Sequence, residues 1–196
     1  SGIGANLVEA FCQQGAQVCF IDIRDEDAHK LVAQLSHNPG ATPPRYYRCN
    51  LLNIPKLQAT IKQIYTEVGA INVLINNAAN DTRHDFRTVT VDYWNERLAV
   101  NLRHHFFAAQ AVYPQMVELG GGSIINLGSM SWYATQGGMP GYTSSKAAIE
   151  GLTRGLARDM GGDNIRVNTI APGLVKTDFA KALWDDPKYL AVRLKG

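Results

Sequence analysis

The sequence predicts an α/β protein built on a parallel sheet with helices on both faces. Five short apolar runs, rich in β-branched and aromatic residues, alternate with segments whose apolar residues recur at helical spacing. Short connections between alternating strands and helices produce strand–helix–strand units, whose strands are parallel. No linker or shift in composition divides the 196 residues, so we expect a single domain over 1–196.

Each element has its own local signal. We predict strands at 17–23, 45–49 and 71–75, in a central run that ends near Leu127, and at 165–170. We predict helices from the first glycines to Gly15, at 25–35, from an Asn53 cap to a Gly69 stop, over about 92–116, and from Tyr142 to about Met160. The stretch 177–194 is weakly helical, and the stretches 38–44 and 76–90 are predicted loops.

Composition excludes several classes of function. The net charge is +2 with no run of basic residues, so we expect neither a nucleic-acid partner nor a membrane surface. No apolar stretch is long enough to span a bilayer. The three cysteines have no Cys-x-x-Cys spacing and fit packed thiols in a reducing, cytoplasmic compartment. His104 and His105 are adjacent on a helix and are expected to point apart, so we predict no catalytic metal.

Ser129, Tyr142 and Lys146 form the candidate reaction centre. Ser129 follows the central strand, and ligands bind beyond the carboxyl ends of strands in open α/β sheets. Tyr142 and Lys146 are four residues apart and share one helix face. An ammonium about 5 Å from the phenolate, at an effective dielectric of about 20, would favour the anion by roughly 3 kcal/mol. We therefore expect Lys146 to lower the Tyr142 pKa, although such a pair also occurs by chance on amphipathic helices.

The amino-terminal part carries a fragment of a dinucleotide-type turn. Gly2-Ile3-Gly4 opens a helix, where glycines let the backbone approach a pyrophosphate and the helix terminus favours negative charge. Asp22 ends the next strand, close to the offset expected of a ribose-binding acid. A carboxylate there would repel a 2′-phosphate, so NAD is favoured, while the neighbouring Arg24 keeps NADP possible.

A second set of polar residues follows the third strand. In Asn76-Asn77-Ala78-Ala79 we expect Asn76 to contact the ribose and Asn77 to satisfy buried backbone between strands. An ordinary asparagine-rich turn is an equally good interpretation of this segment taken alone.

These motifs, in this order, resemble the short-chain dehydrogenase/reductase family over essentially the whole chain. The ordered set adds Asn101 and Pro172-Gly173-Leu-Val-Lys-Thr177 to the residues above, and the interval from Ser129 to Tyr142 also matches. The resemblance implies a Rossmann-type, doubly wound fold, truncated at both ends because the first strand and the final strand and helix are missing from the chain. It also implies a homodimer or homotetramer.

The resemblance assigns roles residue by residue. It makes Tyr142 the acid/base, Lys146 the residue that lowers its pKa and touches the nicotinamide ribose, Ser129 the residue that orients the substrate, and Asn101 the holder of a relay water. A purely structural, hydrogen-bonded Asn101 is the alternative. The cofactor-binding positions are Ser1, Gly2, Ile3, Gly4, Asp22, Asn50, Leu51, Asn76, Ala78, Tyr142, Lys146, Pro172, Gly173, Val175 and Thr177. Two departures are Ala79, where the family usually has glycine, and Asn50, where it usually has an acid.

The substrate loop favours a sugar. Residues 80–84 are dense in hydrogen-bonding groups, and Trp132 offers an indole face that suits a pyranose. The sequence is similar, more narrowly, to bacterial aldose 1-dehydrogenases, which implies hydride transfer from C1 and an aldonolactone product. The expected substrate-binding residues are Asn80, Ser129, Ser131, Trp132 and Tyr142. Packing by Trp132 and a solvated loop are the alternative.

Two other functions stay open. The chain could be a short-chain reductase for another alcohol or carbonyl, such as a 3-oxoacyl thioester or a polyol ketone. It could also bind NAD without turnover, although the complete set of Asn101, Ser129, Tyr142 and Lys146 disfavours that function.

Overall fold

A computed structural model of the chain describes residues 2–37 and 42–175. These residues fall into two compact units. One comprises the residues up to Arg48 together with Leu174 and Val175, and the other is Cys49–Gly173. The single-domain organisation stays a prediction.

The first unit is a strand–helix–strand structure preceded by a helix. Its elements are α1 (Gly2–Gln13), β1 (Cys19–Asp22), α2 (Asp25–Ser36) and β2 (Arg45–Arg48). The two strands are parallel, with Cys19 opposite Arg45 and Asp22 opposite Arg48. Val8, Cys12 and Leu35 form a small buried core, against which partly buried apolar residues of β1 and α2 pack.

The second unit contains a three-stranded parallel sheet with β4 in the centre. Its elements are α3 (Ile54–Val68), β3 (Val73–Asn76), α4 (Val91–Leu98), a π-helical segment (Ala99–Arg103), α5 (His104–Glu118), β4 (Gly122–Leu127), α6 (Pro140–Met160) and β5 (Ile165–Ile170). The strand order is β3-β4-β5. Asn76 is paired with Asn126, and Leu127 with Ile170, so the carboxyl ends of the three strands meet at one edge.

Most sequence-predicted elements are confirmed. All five strands occur where the apolar runs place them, and every pair in the two sheets is parallel. The Asn53 side chain accepts a hydrogen bond from the Lys56 amide at 3.0 Å, as an N-cap does. Gly69 follows the last residue of α3 with a positive φ of 121°, a conformation that glycine adopts easily. The α/β fold class is therefore confirmed.

The long helix predicted over about 92–116 is confirmed in its extent, but the π-helical segment inside it was not predicted. α4, the π-helical segment and α5 follow one another without a break. A π-turn inserts one extra residue into the helical ladder, and apolar periodicity over a long window does not resolve such an insertion. The predicted loop at 76–90 also contains a short 3₁₀ helix, Phe86–Thr88. The predicted helix at 177–194 lies outside the described residues.

None of the helices within residues 2–37 and 42–175 has the length and apolar character that a bilayer-spanning helix requires.

Two glycine substitutions test the packing of the second unit. A Cβ atom at Gly122 would lie 2.5 Å from Sδ of the buried Met116, so we expect Gly122→Ala to destabilise the protein by about 1–3 kcal/mol. Gly151 lies exposed on α6 with open space around it, so Gly151→Ala should stabilise by about 0.5–1 kcal/mol. Chemical denaturation measures both, and equal effects for the two variants would contradict the packing of β4 against α5.

Candidate active site

Three elements of the second unit carry the predicted reaction centre. Ser129 is two residues beyond β4, at the carboxyl edge of the sheet. Tyr142 and Lys146 lie in the first two turns of α6, and Asn101 lies inside the π-helical segment. The Ser129 hydroxyl donates to Ser131 Oγ at 2.9 Å and accepts from the Ser131 amide at 3.1 Å. It also hydrogen-bonds the Tyr142 side chain, so the structure brings serine and tyrosine together as predicted.

Lys146 is buried behind Tyr142. Its side chain is only 1% exposed, and Nζ donates to the carbonyl oxygen of Leu127 at 2.6 Å. The same atom lies 5.6 Å from the centre of the Tyr142 ring. Burial disfavours the ammonium and lowers the Lys146 pKa to about 8. The lysine therefore links α6 to the end of the central strand.

The direction predicted for the Tyr142 pKa is wrong for this structure. Burial raises the Tyr142 pKa above its usual value of 10.0, and the Ser129 hydroxyl acts in the opposite direction. Asp81 raises the same pKa and Arg83 lowers it. The expected lowering by Lys146 does not dominate, because the ammonium is directed at the Leu127 carbonyl and burial disfavours the phenolate.

Asn101 hydrogen-bonds the loop after β3 from its position in the π-helical segment. Its side chain is fully buried, and Oδ1 accepts from the Asn80 amide at 2.7 Å. Its Nδ2 donates to the Asn80 carbonyl at 3.0 Å and to the Arg97 carbonyl at 2.9 Å. These bonds use both amide protons of the side chain. The structural alternative for Asn101 is therefore present, and a role in proton relay stays a prediction.

His104 and His105 do not point apart, which corrects the sequence prediction. Both imidazoles are buried, and their ring centres are 4.4 Å apart. Burial, followed by the nearby Lys146 charge, lowers the His104 pKa to about 4. Burial, followed by His104 and Lys146, lowers the His105 pKa to about 2. In the described part of the chain, no group of three or more metal-ligating side chains could hold a metal ion.

A buried polar chain crosses the three strands, and sequence reasoning missed it. The Asn76 amide donates to Asn126 Oδ1 at 2.9 Å, and Asn126 donates to Thr153 Oγ1 at 2.9 Å. Thr169 donates to the same Thr153 oxygen at 2.7 Å. His105 Nδ1 lies 3.2 Å from Asn126 Oδ1 and, facing a carbonyl oxygen, must donate. The asparagine within the apolar run of β4 is the signal that could have revealed this network.

Asn76 takes the interstrand role that the sequence interpretation gave to Asn77. Its side chain is buried and bonds Asn126 on the neighbouring strand. Both residues adjoin the carboxyl edge of β3, and Ala78 follows them at a partly buried position. A contact from Asn76 or Ala78 to a ribose stays a prediction.

In the first unit, Asp22 ends β1 as predicted. Its Oδ1 accepts from the amides of Ile23 at 2.7 Å and Arg24 at 3.0 Å. The Asp22 carbonyl accepts from the Tyr46 hydroxyl at 3.2 Å. The Arg24 guanidinium forms an ion pair with Asp27 at 3.2 Å. The positive φ of 60° at Gly2 opens α1, which also contains Ile3 and Gly4.

The remaining predicted cofactor residues lie in loops. Asn50 is exposed, and its Oδ1 accepts from the Leu52 amide at 3.0 Å, with Leu51 between them. The Pro172 carbonyl accepts from the Met130 amide at 3.0 Å, which holds the Pro172-Gly173 loop beside the serine loop. Val175 is exposed, whereas Ser1 and Thr177 lie outside the described residues.

The predicted substrate residues flank Ser129 and Asn101. Trp132 and the exposed Tyr133 stack with ring centres 3.7 Å apart, and Ser131 is buried against Ser129. Asn80 Oδ1 accepts from both the amide and the hydroxyl of Thr82, at 2.9 and 2.5 Å. Contacts from these side chains to a substrate stay predictions.

A partly buried tyrosine bonded to a serine, with a buried lysine behind it, is suited to moving a proton at a hydroxyl or carbonyl oxygen. The first unit separately carries two features typical of dinucleotide-binding proteins, glycines at the start of α1 and an acid at the end of β1, and these features with the family match define an NAD(P)-dependent dehydrogenase. The family model for short chain dehydrogenases matches residues 1–188. The chain belongs to the short-chain dehydrogenase family, as the resemblance predicted.

Comparisons with known proteins agree with this membership. The chain is 50% identical over 177 residues to a D-xylose 1-dehydrogenase from Caulobacter vibrioides, covering 90% of the chain and 69% of that protein. It is 44% identical over 184 residues to a probable galactose dehydrogenase from Rhizobium meliloti, covering 94% and 72%. The crystal structure of a gluconate 5-dehydrogenase from Burkholderia cenocepacia with NADP and tartrate superposes with a TM-score of 0.86 at 30% identity, covering 96% of this chain and 73% of that one.

The buried histidine pair predicts an acid-sensitive fold. In the folded protein both pKa values lie below the usual 6.5, so below about pH 6.5 the unfolded chain binds protons that the folded chain excludes. Stability should fall as the pH drops from about 6.5 towards 4, by up to about 1.4 kcal/mol per pH unit for each histidine.

Urea denaturation of His104→Phe at several pH values tests this expectation. The variant has only one of the two buried histidines that bind a proton on unfolding. Its free energy of unfolding should therefore depend less steeply on pH than that of the unsubstituted protein. His29→Gln, which changes an exposed histidine, is the control and should leave the pH dependence unchanged. An unchanged slope in His104→Phe would contradict the assignment.

Proposed function

We propose that the protein oxidises an aldose sugar at C1 with NAD and releases an aldonolactone. The observation that carries the chemistry is the hydrogen bond between Ser129 and Tyr142, with the buried Lys146 behind the tyrosine. Similarity to a xylose dehydrogenase and a probable galactose dehydrogenase supports the sugar class. The polar loop at 80–84 is compatible with a polyhydroxy substrate.

Tyr142 is the proposed acid/base. Its hydroxyl is the titratable group beside Ser129, so it removes the proton from the anomeric hydroxyl of the sugar while Ser129 holds the reacting oxygen. The buried Lys146 attaches α6 to the end of β4 and so keeps Tyr142 beside Ser129. Asn101 keeps the loop that begins at Asn80 in place, and a relay water held by Asn101 is part of the proposal.

The nicotinamide, when bound, accepts hydride from C1 of the sugar. On the chain's side, Gly2, Ile3 and Gly4 at the start of α1, with Ser1, would face the pyrophosphate, and Asp22 would accept the ribose hydroxyls. Binding roles are also proposed for Asn50, Leu51, Asn76, Ala78, Lys146, Pro172, Gly173, Val175 and Thr177. Since Arg24 is already paired with Asp27, we propose a preference for NAD over NADP.

The sugar would lie against Asn80, Ser131 and Trp132. Ser131 contributes a hydroxyl directly bonded to Ser129, and Trp132 contributes an aromatic face. The Trp132 Nε1 is buried and has no hydrogen-bond partner among the described residues.

We also propose a cytoplasmic homodimer or homotetramer. None of the three cysteines forms a disulfide, which fits a reducing compartment. Partly exposed aromatic residues on α5, such as Phe106, suit a contact between subunits.

Substrate oxidation tests the proposed activity directly. NADH absorbance is followed while purified protein is offered aldoses, polyols, fatty alcohols and steroid alcohols. We expect NADH formation with aldoses and a fall of at least about 100-fold in kcat for Tyr142→Phe, which removes the acid/base. Because burial raises the Tyr142 pKa, oxidation should accelerate from about pH 7 to about pH 9.

The control for Tyr142→Phe is Tyr65→Phe, which changes a tyrosine on the exposed face of α3. It should leave kcat unchanged. If the protein oxidises polyols or other alcohols but not aldoses, the proposed sugar substrate is wrong, whereas the proposed dehydrogenase activity holds. NAD binding without any turnover would favour a non-catalytic role.

The cofactor preference has its own test. Asp22→Asn removes the charge that would repel a 2′-phosphate, so kcat/KM with NADP should rise relative to NAD by about tenfold or more. Asp92→Asn, on an exposed helix of the other unit, is the matched control. An unchanged ratio in Asp22→Asn would show that another residue selects the cofactor.

A further inference from the structure

We propose that His84 is a positioning residue that caps α6 from the substrate loop and thereby holds Tyr142 in place for proton transfer. The proposal deepens the proposed function and rests on it for the role of Tyr142. His84 lies in the loop after β3, whereas Tyr142 lies in the first turn of α6. Fifty-seven residues separate His84 from Gly141, so the contact between them is tertiary.

Two hydrogen bonds join His84 to the start of α6. The His84 amide donates to the Gly138 carbonyl at 2.7 Å. The Gly141 amide donates to His84 Nε2 at 3.5 Å, a long bond. Gly138 precedes α6, and Gly141 lies in its first turn. His84 therefore hydrogen-bonds both the residues before the helix and the first turn of the helix.

The first turn of α6 lacks a cap of its own. The first four amides of a helix have no partner within the helix, and a Ser, Thr, Asp or Asn side chain usually accepts from one of them. The N-cap position here is Met139, which makes no side-chain capping bond. Pro140 follows and has no amide proton, so Gly141 is the first residue of α6 with an amide to satisfy. His84 Nε2 supplies the acceptor.

The hydrogen bonds define which form of His84 performs this role. Because Nε2 accepts from the Gly141 amide, it carries no proton, and a neutral imidazole then has its proton on Nδ1. Nδ1 lies 3.1 Å from the Thr82 carbonyl and 3.1 Å from the Tyr93 hydroxyl oxygen, and either can accept that proton. Both ring nitrogens of His84 therefore have hydrogen-bond partners.

Packing around Gly141 reinforces the cap. A Cβ atom at Gly141 would lie 2.9 Å from Arg97 Cβ, so this turn approaches α4 closely. The buried Arg97 places its guanidinium 5.0 Å from the centre of the Tyr93 ring, and the Tyr93 ring meets His84 edge-on at 5.0 Å. His84, Tyr93 and Arg97 therefore form one packed group against the turn that precedes Tyr142.

The loop that contains His84 is also held at a second point, by Asn101, and its position affects the charges near Tyr142. Asn101 holds the backbone of Asn80 with two hydrogen bonds, and His84 holds the loop four residues later. Between these anchors lie Asp81 and Arg83, whose charges both act on the pKa of Tyr142. Loosening His84 would therefore displace the first turn of α6 and the charges that face its tyrosine.

Substitutions at His84 distinguish the contribution of the hydrogen bond to Gly141 from that of the packed aromatic ring. His84→Phe keeps an aromatic ring and removes the acceptor, whereas His84→Gln keeps an acceptor at a similar reach. His84→Met, close in length to glutamine but without a strong acceptor, replaces the phenylalanine variant if that variant folds poorly. His29→Gln is the matched control, because His29 also meets a tyrosine ring edge-on, at 5.4 Å from Tyr46, but belongs to the other unit.

The kinetic readout uses D-xylose as the probe with NAD. We expect kcat to fall at least tenfold in His84→Phe, with the KM for NAD changed less than twofold, since displacement of the acid/base weakens the chemical step. His84→Gln should recover kcat to within about threefold, and His29→Gln should match the unsubstituted protein. Unchanged kcat in His84→Phe, or equal losses in the phenylalanine and glutamine variants, would overturn the capping role.

Amide hydrogen exchange keeps this test independent of the substrate. Exchange in a peptide spanning 139–145 should accelerate in His84→Phe and return in His84→Gln. If the protein oxidises no sugar, the proposed function fails, and this exchange pattern still decides whether His84 caps α6. Equal exchange in all variants would refute the inference.

Discussion

The hydrogen bond from Lys146 Nζ to the Leu127 carbonyl is the constraint on which the proposed reaction centre depends. An ammonium that is 1% exposed loses its hydration and is stable only where a strong acceptor replaces that hydration. The acceptor is the last carbonyl of β4, so the bond attaches α6 to the end of the central strand at 2.6 Å. Tyr142, one turn earlier on α6, is thereby brought within hydrogen-bond reach of Ser129, which follows the same strand. One desolvated cation thus aligns two elements that the chain connects through a 12-residue loop.

The carboxyl end of β4 is itself held in position by a network of buried polar side chains. Asn126, fully buried in β4, accepts from Asn76 on one side and donates to Thr153 of α6 on the other. A buried amide that lost these partners would cost about 1–3 kcal/mol per unsatisfied group, so alternative registers of the strands are disfavoured. The parallel register places Asn76 directly opposite Asn126, which is the arrangement this network requires. The network and the lysine bond therefore specify the same alignment of β3, β4 and α6.

Hydrophobic periodicity and helix-capping signals predicted most of the helices and strands correctly, because these signals depend on residues close together in the chain. The end of β4 at Leu127, the Asn53 cap and the extent of α6 to Met160 each follow from residues near one another in the chain. The π-helical segment around Asn101 was missed because an insertion of one residue barely alters a helical pattern. The pKa of Tyr142 and the close contact between the imidazoles of His104 and His105 were misjudged for a different reason. Both depend on burial and on the direction of side chains, which spacing along a helix does not determine.

The polar loop after β3 shows how composition alone can mislead. Its density of hydrogen-bonding groups predicts a sugar site, but several of those groups are engaged within the protein. Asn80 binds Thr82, Asp85 binds Arg87, and His84 binds the start of α6. Much of the polarity that suggested a substrate therefore serves to hold the loop between Asn101 and α6. Consequently, support for a sugar comes less from the loop than from the similarity to sugar dehydrogenases and from Ser131 and Trp132 beside Ser129.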